Sequence, residues 1–68
     1  MIKKGMLVRY APGWCSPGEE KYFHVVQENV INPVTGKMTR WIIETINSSI
    51  TIANPTETVE EYMIIPAE

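Results

Sequence analysis

Aspartate is absent from this 68-residue chain, leucine occurs once and alanine three times. Cys15 is the sole cysteine and His24 the sole histidine. Each scarcity removes a class of chemistry. One cysteine cannot close an internal disulfide. Cys15 and His24 together fall short of the roughly four Cys and His ligands that a structural zinc takes. Oxygen-ligand cation loops draw on several Asp and Asn residues, so a chain without Asp is not expected to hold one. The glycines offer no phosphate cradle, because Gly13 and Gly18 are separated by Trp, Cys and Pro instead of leading into a helix. No apolar run approaches the roughly 18 residues that span a bilayer. The opening Met1–Val8 has the positive start of a signal peptide without its apolar stretch. A lone thiol fits a reducing compartment. The expectation is a cytoplasmic protein without metal, cofactor or membrane contact.

What the chain does have is β-branched side chains: nine Ile, six Val and six Thr. Such side chains are stiff at χ1, crowd a helix and pack well on a pleated surface. The composition points to an all-β fold and argues against a helical bundle. Charge is divided along the chain. Residues 1–40 hold all six cations and three Glu, whereas residues 41–68 hold five Glu and no cation. Length and composition suit a single domain over residues 1–68. A domain near 60 residues buries only about 60% of its unfolded surface. With disulfide and zinc excluded, either the core suffices or self-association supplements it.

Turn residues cut the chain into short runs. Met6–Tyr10 alternates enough for a first strand. Ala11–Gly18, with two Pro and two Gly, makes a long loop that cannot sustain a ladder. Lys21 to Ile31 reads as a long second strand. Asn32-Pro33-Val34-Thr35-Gly36-Lys37 is a strong hairpin signal. Pro33 presets a turn φ, Asn32 bonds the backbone ahead of it and Gly36 accepts positive φ. A four-residue loop pairs Asn32 with Lys37, and continuing that register predicts Ile31 opposite Met38, Glu28 opposite Trp41 and Val26 opposite Ile43. Strand three is expected over Met38–Ile46 and strand four over Ile50–Ala53. Asn54-Pro55-Thr56-Glu57 resembles a helix start, with Asn54 as cap, Pro55 at the first position and Glu57 three residues on. One helical turn fits there before a closing strand over Met63–Pro66.

Five strands, a long first loop, two hairpins and a single helical turn before the last strand form an order that resembles the SH3-like small β-barrel, over nearly the whole chain. The opening, Gly5-x-x-Val8 with Gly13, Gly18 and Val25-Val26, also resembles the KOW-type barrel of ribosome and transcription proteins. It departs from that pattern at Glu19-Glu20-Lys21, where another glycine is expected. The SH3 resemblance implies an aromatic groove between the first loop and the helical turn, with Tyr10, Trp41, Pro55 and Tyr62 in the corresponding regions. In the predicted register one hairpin face carries Val26, Val30, Trp41 and Ile43. The other carries Phe23, Val25, Ile31, Met38, Ile42 and Ile46. Both faces are partly apolar, which a β-bulge or a dimer interface would equally explain.

Chemistry-bearing residues are few. Cys15 and His24 are the only nucleophile and base that could be paired, and Glu19-Glu20 beside Cys15 disfavours a thiolate. Glu19-Glu20 and Glu60-Glu61 lie in polar, turn-rich context and read as solvated faces. Catalysis is not expected. Trp14 lies mid-loop, where it either folds back as a lid on the core or stands out as an anchor for a partner. Trp41, central in strand three, reads as core. Tyr10, Trp14, Trp41 and Tyr62 are the candidate binding residues for a protein partner, which includes a second copy of the chain. The alternative partner is nucleic acid, gripped by Lys3, Lys4, Arg9, Lys37 and Arg40, with Lys21, Tyr10 and Tyr22 interleaved.

Overall fold

The computed structural model describes residues 1–15, 22–46 and 56–67. They form one five-stranded antiparallel sheet with a single 3-10 turn. The strands are β1 (Leu7–Tyr10), β2 (His24–Asn32), β3 (Lys37–Thr45), β4 (Thr56–Glu60) and β5 (Ile64–Pro66). The 3-10 turn, Glu61–Met63, joins β4 to β5. Strand order across the sheet is β4-β3-β2-β1-β5, with every pair antiparallel. The all-β expectation holds. The sheet is not closed, because no ladder among the described residues joins β4 to β5.

The β2–β3 hairpin forms as its turn chemistry requires. Asn32 Oδ1 accepts from the backbone N–H of Val34 at 2.9 Å and of Thr35 at 3.4 Å. Gly36 has φ +73°, a left-handed conformation that a side chain disfavours, and its N–H donates to Asn32 O at 2.7 Å. Asn32 opposes Lys37 and Val26 opposes Ile43, both as the loop length predicts. Between those anchors the register differs from the predicted one. Asn29, not Glu28, faces Trp41. Gln27 is an extra residue in β2, and a second irregularity in β3 before Arg40 restores the count at the turn. Asn29 Nδ2 donates to Arg40 O at 2.8 Å and Met38 O at 3.3 Å, pairing carbonyls beside the β3 irregularity. The two bulges therefore compensate. A one-residue slip turns a strand's side chains over, so Val30 joins the row of Arg40 and Glu60 instead of the row of Trp41.

The core settles which hairpin face is inside. Val8, Tyr10, Val26, Trp41, Ile43, Val59 and Ile64, drawn from all five strands, pack with Ile2 into one buried cluster. Directly opposed core pairs are Val26 with Ile43, Trp41 with Val59, and Tyr10 with Ile64, the geometry in which cross-strand side chains support each other most. His24 is buried beside them, with Nδ1 hydrogen-bonded to Thr45 Oγ1 at 3.1 Å and its ring edge-on to Tyr10 at 5.0 Å. The sheet curls strongly around this cluster. The Tyr10 hydroxyl donates to Glu57 on β4, yet three strand spacings separate β1 from β4, roughly 14 Å in a flat sheet. The opposite face leaves Phe23 and Ile46 exposed.

The expected fourth strand at Ile50–Ala53, and Asn54 with Pro55, lie outside the described residues. The helix start expected at Asn54–Glu57 is corrected at its second half. Thr56-Glu57-Thr58-Val59-Glu60 is strand β4, paired with β3 from Glu44 to Arg40. Its alternating β-branched residues bury Val59 against Trp41, and that pairing outweighs the local capping signal. The helical turn before the last strand forms later, at Glu61–Met63.

Candidate functional site

The site is assembled from two turns. Ala11-Pro12-Gly13-Trp14 is a β-turn closed by Trp14 N–H to Ala11 O at 3.2 Å. Pro12 stands at its second position and Gly13, with φ +90°, at its third, the residue types a type II turn demands. Ala11 N–H also donates to Met63 O at 2.9 Å, which fastens this turn to the end of the 3-10 turn. The result is that Trp14 meets Tyr62, a residue 48 positions later in the chain. Their rings lie 5.3 Å apart at 62°, edge to face, the arrangement ring quadrupoles favour. Both stay open to solvent, Trp14 at 47% and Tyr62 at 65% exposure.

Tyr62 also lines an open cleft of about 650 Å³. One wall is the base of the β2–β3 turn, through Asn32, Thr35 and Lys37, and the other is Glu60, Glu61 and Tyr62. Glu60 ties the walls together. It accepts from Arg40 Nε, from the Thr39 hydroxyl at 3.0 Å and from Asn32 Nδ2 at 3.1 Å. Glu61 Oε1 accepts from the Trp41 indole N–H at 2.9 Å, so the buried tryptophan keeps its polar atom paired. Of the Glu60-Glu61 pair, Glu61 is solvent-exposed as expected, whereas Glu60 is half-buried in a hydrogen-bond network. The partners come from β2 and β3, 20 to 28 residues away, and no local signal announces them.

The hydrogen bond from Arg40, followed by those from Thr39 and Asn32, holds the Glu60 carboxyl below the ordinary value of 4.5. A lowered carboxylate stabilises the fold fully above the unfolded-chain value, and that contribution is lost as pH falls through the lowered folded value. Glu60→Gln removes the titration. The melting-temperature gap between wild type and Glu60→Gln is expected to be widest above about pH 5 and to shrink as the pH is lowered toward 3. Thermal melts across that range check it, and a gap independent of pH would contradict the assignment.

The remaining sequence candidates distribute as follows. Tyr10 and Trp41 are buried in the core, and only Trp14 and Tyr62 among the four aromatic candidates share an exposed surface. Lys37 and Arg40 both line the cleft, and Arg40 is ion-paired with Glu60. Arg9, on β1 opposite Ile65, lies two strands from β3 and at the other end of the ladder from Lys37. Lys3 and Lys4 precede Gly5, which bonds Val26 near the start of β2, at the end of the hairpin away from Lys37. The five cations do not form one row. Cys15 is half-buried against the core cluster. Glu19, Glu20, Lys21 and Pro55 lie outside the described residues. Among the described residues no three His, Cys or Glu side chains gather as metal ligands, and no helix is long and apolar enough to cross a membrane. Comparison with protein-family models, curated proteins and solved structures finds no match to this chain.

Proposed function

We propose that the chain is a non-catalytic protein-interaction module of the SH3-like small-barrel type, which docks a partner protein over Trp14, Tyr62 and the adjoining cleft. The observation that carries this reading is the exposed Trp14–Tyr62 pair. Tryptophan and tyrosine dominate binding hot spots, since each offers large contact area with few torsions to freeze. The pair is held by the Ala11–Trp14 turn and the 3-10 turn, so little ordering remains to be done on binding. The barrel reading is supported by the curl that joins Tyr10 to Glu57 and by the single core drawn from five strands. β2 pairs with β1 at its start and with β3 along its length, and its bulge at Gln27 falls where the sheet must bend.

Protein is favoured over nucleic acid by the charge around the cleft. Arg40 is neutralised by Glu60, and Lys37 shares its surroundings with Glu60 and Glu61. Phosphate binding depends on clustered cations. A non-catalytic role is supported by the placement of the two reactive side chains, with Cys15 packed against the core and the His24 ring engaged by Thr45 and Tyr10.

The test is selection of random 12-residue peptides on the immobilised chain, followed by calorimetry of the selected peptides in solution. Trp14→Ala and Tyr62→Ala are each expected to weaken binding by roughly thirtyfold, the scale of a hot-spot residue. Unchanged affinity in both variants, or no selectable peptide, would overturn the reading.

A further inference from the structure

We infer that the occupant of the cleft is a second copy of this chain, docked about a two-fold axis so that the Pro33–Val34 tip of each copy enters the cleft of the other against Tyr62, on which Trp14 stacks edge to face. The inference rests on the reading of the cleft as a docking site and names its partner.

Shape supplies the first argument. Val34 stands 88% exposed at the apex of the β2–β3 turn, behind a proline that fixes the backbone. The cleft lies immediately beside that apex, since Asn32, Thr35 and Lys37 from the same turn form one of its walls. A protrusion next to a recess can meet its counterpart reciprocally under a two-fold rotation, so both contacts form at once. An apolar, conformationally fixed tip meeting an exposed aromatic pair removes apolar surface from water on both sides.

Charge supplies the second. Within one chain Arg40 and Glu60 balance each other. Lys37 and Glu61 line the same cleft with opposite sign, both are exposed, and among the described residues they form no ion pair. Glu61 spends one oxygen on Trp41, which leaves the other open to a partner. In the two-fold arrangement Lys37 of each copy approaches Glu61 of the other, and the pairing occurs twice.

Sedimentation equilibrium of the full chain from low micromolar to millimolar concentration tests this. A monomer–dimer equilibrium is expected, with a dissociation constant of roughly micromolar to hundreds of micromolar, as small transient interfaces show. Val34→Asp, Lys37→Glu and Glu61→Lys are each expected to weaken it about tenfold or more, with the fold retained by circular dichroism. The decisive step is to mix Lys37→Glu with Glu61→Lys. Each alone sets like charges across both contacts, but in the mixed pair every contact again joins a cation to an anion. A heterodimer should therefore form at concentrations where neither variant dimerises alone. A chain monomeric throughout, or variants that mix without associating, would overturn the inference. So would a dimer that ignores these changes and yields to Phe23→Lys or Ile46→Lys on the outer face. If selected peptides still require Trp14 on a monomeric chain, the dimer is refuted and the docking site stands.

Discussion

Trp41→Ala is expected to cost about 3–5 kcal/mol of stability, the range for emptying a large buried aromatic site. Trp41 is 8% exposed, packs opposite Val59 of β4 and donates its indole N–H to Glu61. Its loss opens a cavity among β2, β3 and β4 and leaves the Glu61 carboxylate without that donor. A domain of this length has roughly 3–10 kcal/mol in total, so the variant should lose a large share of its stability. Trp14→Ala is the control. It removes an exposed ring whose edge contact with Tyr62 is worth about 0.5–1.5 kcal/mol. Urea titrations of the two variants, followed by circular dichroism, should separate them clearly. Equal costs would mean that the core and surface assignments of the two tryptophans are wrong.

Ile43→Ala carries the second-largest effect, about 2–5 kcal/mol. Ile43 is fully buried, opposite Val26 on one side and Glu57 on the other. It sits just beyond the Gln27 bulge, where the hairpin turns its inner face toward β1. Strands on both sides close over it, which limits how far the site can collapse, and an uncollapsed cavity lies at the costly end of the range. In a domain of this size each kcal/mol shifts the melting temperature by about 4–8 °C, so a fall of about eight degrees or more is expected. Ile42→Ala, one residue away on the half-buried outer face, should cost clearly less. A calorimetric scan of both variants checks the alternation, and a reversed ranking would place the core on the wrong face.

Much of this architecture is legible in the residues, and the parts that are not have physical reasons. The Asn32–Lys37 turn is local, since Pro33, Asn32 and Gly36 specify it within six residues, and it fixes the register at Lys37, which two compensating bulges restore at Ile43. The stretch between slips because a bulge answers to curvature, a property of the whole sheet. Its only trace in the sequence is that both hairpin faces looked partly apolar. β4 illustrates the competition between levels: Asn54 to Glu57 carries a capping pattern, but Thr56, Thr58 and Val59 suit a strand, and a partner strand was available. At the site, Trp14 and Tyr62 each stood out as aromatic residues near turns. Their meeting depends on the Ala11–Met63 hydrogen bond, a long-range contact that no local spacing encodes. The Glu60 network was hidden for the same reason, since its donors come from two other strands.

The opposite charges of the two chain halves also change meaning in three dimensions. Antiparallel pairing sets Arg40 against Glu60 and leaves Lys37 and Glu61 around one cleft. A split along the chain becomes an alternation on one surface, of the kind that selects partners by charge register.

Docking on the Trp14–Tyr62 surface is tested most directly by amide and indole NMR mapping of a selected peptide. The largest shifts should fall on the Trp14 indole, Tyr62, Lys37 and Glu61, with Val8 and Ile43 in the core unmoved. Shifts concentrated instead on Phe23, Val25, Ile42 and Ile46 of the outer face would contradict it.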